Sequence, residues 1–268
     1  MNRVCCVYFS PTGGTKLVAT AVAAAMAEEL KLPLEHFDIT LPQAREQEYN
    51  FTADDLVLIA SPTYAGRIPN KMLPEFERLV HGCGNAVVVS VYGGRSNDEG
   101  LHELVLLAEK NGFNVIAAAG CVTRHSMSRV LAAHRPSEKD MAELATFGRR
   151  AAQKALGEAT AVNIDRDTPI APYYRPFKED MQPAVFLKAK PLTDADKCIS
   201  CGSCAASCPM ASISFDDFCT VSGVCIKCHA CVRNCPTGAK YFDNEELLSH
   251  IRVLEKLFKG EQDNLYLI

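Results

Sequence analysis

Five short runs of apolar and β-branched residues recur along the first 157 positions: Val4–Phe9, Leu34–Ile39, Leu56–Ala60, Ala86–Val91 and Val115–Ala119. Between and after them lie longer stretches of helical character: Lys16–Leu30, Asn70–Val80, Asp98–Lys110 and Ser137–Leu156. Strands alternating with helices predict a parallel sheet with helices on both faces. An unbroken apolar run such as Leu56-Val57-Leu58-Ile59 suits a strand buried on both sides. Ser137 with Asp140 three residues later predicts a capping box opening the last helix. The texture changes at Gly157. From there to Leu192, Pro169, Pro172, Pro176, Pro183 and Pro191 block regular helix and interior strand, so the stretch reads as a linker or an arm wrapped over a domain. Cysteines then dominate. A final amphipathic helix is expected over Asn244–Phe258, with Leu247, Ile251, Leu254 and Phe258 on one face packed on the body. The expected organisation is a doubly wound, five-stranded α/β domain over residues 1–157, a proline-rich linker over 158–191, and a small α+β module over 192–268.

Composition narrows the chemistry. With 268 residues, 48% of them hydrophobic, the chain can bury a sizeable core. A formal net charge of −4 lacks the basic footprint of a nucleic-acid binder. The longest apolar stretch, Val18 to Ala27, is interrupted by Thr20 and too short to span a bilayer, and no secretory signal is evident. A soluble, cytoplasmic protein with no membrane span is expected. Thirteen cysteines, an odd number, favour metal or redox chemistry over a disulfide framework.

Eight of the thirteen fall in two matching segments. Cys198-Ile-Ser-Cys201-Gly-Ser-Cys204-Ala-Ala-Ser-Cys208-Pro209 and Cys225-Ile-Lys-Cys228-His-Ala-Cys231-Val-Arg-Asn-Cys235-Pro236 both spell C-x2-C-x2-C-x3-C-P. Three closely spaced cysteines wrap one cubic cluster. In two-cluster ferredoxins the fourth ligates the other cluster. By that rule Cys198, Cys201, Cys204 and Cys235 hold one 4Fe–4S cluster, and Cys208, Cys225, Cys228 and Cys231 the second. Structural zinc sites take two C-x2-C pairs instead. The stretch from Leu192 to Phe242 resembles bacterial two-cluster ferredoxins. Cys5 and Cys6 read as small core residues and Cys219 breaks the spacing; Cys83 and Cys121 also lie outside the repeats. His229 reads as a neighbour of the ligands or a surface residue, not a ligand.

The first strand runs into Ser10-Pro11-Thr12-Gly13-Gly14-Thr15, followed by a helix. A phosphate there meets backbone N–H groups, three hydroxyls and the positive end of a helix dipole. The loop has neither Walker A nor G-x-G-x-x-G spacing, which disfavours a nucleoside triphosphate or NAD at this point. It resembles the flavodoxin signature S-x-T-G-N-T for the phosphate of FMN, with Gly14 in place of asparagine. Ser61-Pro62-Thr63-Tyr64-Ala65-Gly66-Arg67 after the third strand and Tyr92-Gly93-Gly94-Arg95 after the fourth converge on the same switch point of a doubly wound sheet. The resemblance implies a flavodoxin-like fold whose FMN contacts include Ser10, Thr12, Gly13, Gly14, Thr15, Ser61, Pro62, Thr63, Tyr64, Tyr92, Gly93, Gly94 and Arg95. With no Trp in the chain, Tyr64 and Tyr92 are the available stacking partners. Arg67 and Arg95 suit either the flavin edge or a solvated rim. His125 reads as a plain loop residue after the fifth strand.

Taken whole, the chain resembles fused flavodoxin–ferredoxin proteins of anaerobic bacteria. That implies FMN and two 4Fe–4S clusters on one polypeptide, and electron transfer between low-potential one-electron carriers and FMN. Two alternatives stay open: an FMN-dependent oxidoreductase reducing a small acceptor such as a quinone or NAD(P), and an iron–sulfur redox sensor. Whether the chain is an enzyme is therefore open at this stage. Each oxidised cluster with its four thiolates carries about −2, so a redox partner protein is expected to dock through a basic face.

Overall fold

A computed structural model describes residues 1–260 and 262–268. The elements run β1 (Arg3–Tyr8), α1 (Gly14–Leu30), β2 (Leu34–Asp38), β3 (Tyr49–Phe51), β4 (Asp55–Pro62), α2 (Leu73–Leu79), β5 (Val80–Gly82), β6 (Asn85–Tyr92), α3 (Gly100–Lys110), β7 (Asn114–Val122) and α4 (Glu138–Leu156). The cysteine-rich part adds β8 (Leu192–Thr193), α5 (Ser203–Ala206), α6 (Ala230–Arg233), β9 (Lys240–Tyr241) and α7 (Glu245–Leu257), and β10 (Leu265–Leu267) ends the chain. The main sheet has the order β10-β7-β6-β4-β1-β2. Its five long strands pair in parallel. Counted along the chain they stand 2-1-3-4-5, the flavodoxin-like doubly wound order with its switch point between the first and third.

Alternating side chains feed two cores. Val4, Cys6 and Tyr8 face α1 and α4, where Val22, Met26, Leu144 and Phe147 close one layer. Cys5, Val7 and Phe9 face the other way, onto Phe76, Leu79, Leu104 and Val105 of α2 and α3. Burial on both faces explains why β4 is apolar throughout its middle and buried at every position. The capping box of α4 is present: Ser137 Oγ accepts from Asp140 N at 3.2 Å, and Ser137 N donates to the Asp140 carboxylate. No helix among the described residues is long and apolar enough to cross a membrane.

The sheet has one strand more than the alternating pattern foretells. Leu265-Tyr266-Leu267 pairs antiparallel with Gly120, Ala119 and Ala118, so the end of the stretch assigned to the cysteine-rich module belongs to the first domain's sheet. Three residues are too few to carry a period. Tertiary partners hold them: Asn264 Oδ1 accepts from Val122 N at 2.9 Å, and Tyr266 packs on Phe147 with ring centroids 5.3 Å apart.

Residues 158–191 lie along the first domain. Val162 N donates to Val115 O at 2.7 Å, Tyr174 N to Ala65 O at 2.8 Å, and Tyr173 hydroxyl to Ile68 O at 2.8 Å. Arg67 and Arg95 stack on Tyr173 and Tyr174 at 4.5 and 4.1 Å. Proline keeps this arm out of regular structure, and side chains fasten it instead.

Two arginines fasten the cysteine-rich module. Buried Arg45 donates to Ile39 O and Thr40 O of the first domain and to Pro209 O, next to Cys208, at 2.6 Å. Arg233, between Cys231 and Cys235, donates to His125 O (2.7 Å), Ser126 O (2.9 Å) and Ser128 O in the loop after β7.

Candidate cofactor sites

The carboxyl ends of β1, β4, β6 and β7 surround a cleft lined by Ser10, Pro11, Thr12, Gly14, Thr15, Pro62, Thr63, Tyr64, Val91, Tyr92, Gly93, Thr123, Arg124, His125 and Ser126. At its base α1 opens from Gly13 at φ 84°, with no side-chain cap and no acidic residue in its first turn. The N–H groups of Gly14 and Thr15 that open it are therefore available to an anion. Ser10 Oγ accepts from Lys16 N at 2.8 Å, which pins the loop to the helix start. Gly14 has a steric reason for standing where the signature has asparagine. A Cβ there would come within 2.9 Å of Thr123 Oγ1, so the residue that follows β7 supplies side-chain bulk that the loop gives up.

Of the thirteen expected flavin contacts, nine line this cleft: Ser10, Thr12, Gly14, Thr15, Pro62, Thr63, Tyr64, Tyr92 and Gly93. Arg95 lines the larger cavity beside it. Gly13, Ser61 and Gly94 line neither. Gly13 caps the helix, Ser61 is buried with its hydroxyl on Pro62 O, and Gly94 turns the chain at φ 82°. Arg67 pairs with Glu103 under Tyr173. Arg95 pairs with Asp98 under Tyr174.

His125, read as a plain loop residue, faces both cavities. Its Nδ1 accepts from Met127 N at 3.2 Å and Ser128 N at 3.1 Å. Burial, with His250, Arg233 and Arg95 nearby, pushes its pKa down to about 4. The imidazole is therefore neutral at pH 7 and carries its proton on Nε2. Its position one residue past Thr123-Arg124 at the carboxyl edge of the fifth strand was the available signal. Tyr173, Tyr174, Phe186 and His250, contributed by the arm and α7, had none.

The larger cavity, about 650 Å³, falls in the size range of small-molecule sites. The β4 and β6 loops form one wall, and Cys225, Ile226 and Lys227 of the second cysteine repeat another. Burial pushes the Tyr64 phenol well above its usual pKa, so it stays protonated. Tyr92 hydroxyl donates to Asp263 O at 3.2 Å. Five cations line the space (Lys71, Arg95, Lys188, Lys190 and Lys227), and no carboxylate does among the described residues.

The eight repeat cysteines ring two small cavities. Cys198, Cys201, Cys204 and Cys235 line one; Cys208, Cys225, Cys228 and Cys231 line the other. The backbone repeats too. Ser200 and Lys227 share φ near 50°, Gly202 and His229 are both left-handed, and Cys208 Sγ and Cys235 Sγ accept from Ser212 N (3.3 Å) and Ala239 N (3.2 Å). Such N–H···S bonds stabilise thiolates. No three His, Cys, Asp or Glu side chains among the described residues close in tightly enough to hold a single metal ion. Four thiols around a cavity, with backbone donors on the crossing sulfurs, fit a cluster in each. Burial pushes the Cys231 thiol up to about 12 and Cys228 higher, so loading the second cavity must release protons. Exposure is graded: Cys201 is exposed, whereas Cys228 and Cys231 are buried. Cys204 and Cys231 share one apolar cluster between the cavities.

Strand order and repeat together define the class: a flavodoxin-like α/β domain joined to a ferredoxin-type iron–sulfur segment. Comparison with known proteins agrees on the second part. Residues 189–210 and 222–238 each match a family model described as a 4Fe-4S binding domain. No curated protein matches the chain. Among solved structures, the rubredoxin oxygen:oxidoreductase of the anaerobe Desulfovibrio gigas aligns at 16% identity over 59% of this chain, with a TM-score of 0.39. The match spans 37% of that oxidoreductase's length. An archaeal flavodoxin aligns at 17% identity over 59% of this chain and 100% of its own, with a TM-score of 0.37. Flavodoxin 1 of Bacillus cereus aligns at 17% over 55% and 95%, with a TM-score of 0.40. The chain thus joins a flavodoxin-like α/β fold to two segments that match 4Fe-4S binding-domain models.

Proposed function

We propose that this chain is an electron-transfer protein holding FMN at the carboxyl edge of its sheet and two 4Fe–4S clusters in its cysteine module, and that it moves electrons between one-electron carriers and the flavin. One observation carries the reading: Cys225 lines both the 650 Å³ cavity and the cavity of Cys208, Cys228 and Cys231. One cluster seat thus shares a wall with the cavity that opens, past Tyr64, Tyr92 and His125, onto the flavin cleft. FMN exchanges one or two electrons and each cluster one.

The chain's own residues supply the rest. The Gly14 and Thr15 N–H groups at the start of α1 take the phosphate; Tyr64 and Tyr92 offer aromatic faces; His125 presents a neutral Nε2–H. The 158–191 arm keeps water off the cavity with Tyr173, Tyr174 and Phe186, and the Arg45 and Arg233 contacts hold the two sites in register. Covalent fusion raises the effective concentration of each site at the other. The graded exposure supports entry at the outer cysteines. There Ile199 and Phe215 stand 64% and 65% exposed, with exposed Asp196, Asp216 and Asp217 around them, a face suited to a basic partner protein.

Protein made without oxygen is expected to hold about eight irons per chain and one FMN. Cys208→Ser is expected to erase the same cluster signal as Cys225→Ser, and Cys235→Ser the other. Wild-type protein carrying zinc, or substantially fewer irons, overturns the reading. A second reading, an oxidoreductase acting on a small anionic acceptor, is favoured by the five cations and missing carboxylates of the larger cavity. Turnover of such an acceptor without a protein partner would select it.

A further inference from the structure

The two cysteine repeats match position for position, and one position differs in kind. Gly202 follows Cys201 at φ 76°; His229 follows Cys228 at φ 62°. Seven residues after each crossing cysteine stands an aromatic, Phe215 or Phe242, that covers this position. Glycine is the default for a left-handed backbone, and another residue there costs about 1–2 kcal/mol. The first repeat follows that rule. The second puts an imidazole on the strained backbone, 6% exposed and stacked on Phe242 at 4.5 Å and 18°.

A second penalty is added. His229 Nε2 is the one buried side-chain nitrogen or oxygen left without a hydrogen-bond partner among the described residues, a deficit of about 1–3 kcal/mol. A glycine would avoid both costs. Strain and an orphaned polar atom at one residue point to a role met only when a missing group is present. His229 lines the cavity ringed by Cys208, Cys225, Cys228 and Cys231. The donors there are thiolates, and a cluster adds sulfides. All are acceptors, so the nitrogen that meets them must donate.

We infer that His229 Nε2–H donates a hydrogen bond to a sulfur of the cluster held by Cys208, Cys225, Cys228 and Cys231, and that it raises that cluster's reduction potential above that of its twin. The inference rests on the proposed function and adds a direction to it. A reduced cluster carries one more negative charge than an oxidised one, so a donor stabilises the reduced form more. The twin has glycine at the same position and lacks this donor. Electrons arriving at the exposed cluster then run downhill to the one beside the flavin cavity.

The test uses the full chain, reconstituted, with His229→Phe, which keeps the stack on Phe242 but has no N–H, and His229→Gly, which restores the backbone preference. Iron content is measured alongside potentiometric titrations followed by electron paramagnetic resonance. Both variants are expected to lose about tenfold in the reduction equilibrium of one cluster, about 59 mV for one electron, with the other unmoved. The affected cluster is the one absent from Cys225→Ser. In wild type labelled with ¹⁵N-histidine, that cluster is expected to show a weak nitrogen coupling that vanishes in His229→Phe. Full iron content with unchanged midpoints in both variants, or equal shifts of both clusters, overturns the inference. Wild type short of about eight irons removes the parent reading instead, and the iron count alone distinguishes that outcome.

Discussion

Arg233 offers the sharpest test of how the two halves are held together. Its guanidinium reaches three carbonyls of the 125–128 turn from a helical turn that also carries Cys231. A hydrogen bond to a charged donor contributes about 1.5–3 kcal/mol when buried. This side chain is half-buried, so about 3 kcal/mol for the whole set is a fair discount. At about 1.4 kcal/mol per factor of ten, Arg233→Ala should favour the undocked turn by about 150-fold. The readout is hydrogen exchange. The His125 amide, bonded to Leu131 O at 3.2 Å, should exchange about 100-fold faster, while amides of β1 keep their protection because their ladder is untouched. Arg45 still holds Pro209, so the module should stay attached. Arg233→Lys should recover only part of the effect, since a point charge cannot serve three carbonyls in one plane. Unchanged exchange at His125 in the alanine variant would refute the claim that this contact sets the spacing of the two sites.

Two further predictions concern the cleft. Gly14→Ala puts a Cβ within 2.9 Å of Thr123 Oγ1 and should weaken FMN binding by about tenfold; Thr123→Ala in the same chain should restore most of it, measured by flavin fluorescence. Failure of the double variant to recover would place the defect elsewhere. His125, with a folded pKa of about 4 against an ordinary 6.5, is neutral in the native state where the unfolded chain binds a proton. Its contribution is present above pH 6.5 and lost as pH falls toward 4, to at most about 3 kcal/mol. Chemical denaturation across that range should show a shallower loss of stability for His125→Gln, and an unchanged slope would exclude His125 as its source.

The legible parts of this protein are those written in short-range periods. The five long strands and their helices follow from alternating runs, because a strand buried on both faces must be apolar along its length, as β4 is. The Ser137–Asp140 box follows from two residues three apart. The repeated C-x2-C-x2-C-x3-C-P follows from covalent spacing alone. What stayed illegible is long-range. β10 is three residues whose strand character comes from partners near position 120. The arm has no period, and Tyr173 and Tyr174 are placed by Ile68, Ala65 and two arginines more than 75 positions away.

The sequence by itself determined the five long strands, the glycine-containing loop at their carboxyl edge and the pairs of cysteine triplets, since each depends on neighbours along the chain. Tertiary structure alone decided that Cys225 borders the larger cavity beside the cleft and that His125 faces both. It also decided that His229 lies buried on a backbone suited to glycine. Those outcomes come from packing between side chains that are not chain neighbours, where no local pattern records which surfaces will meet.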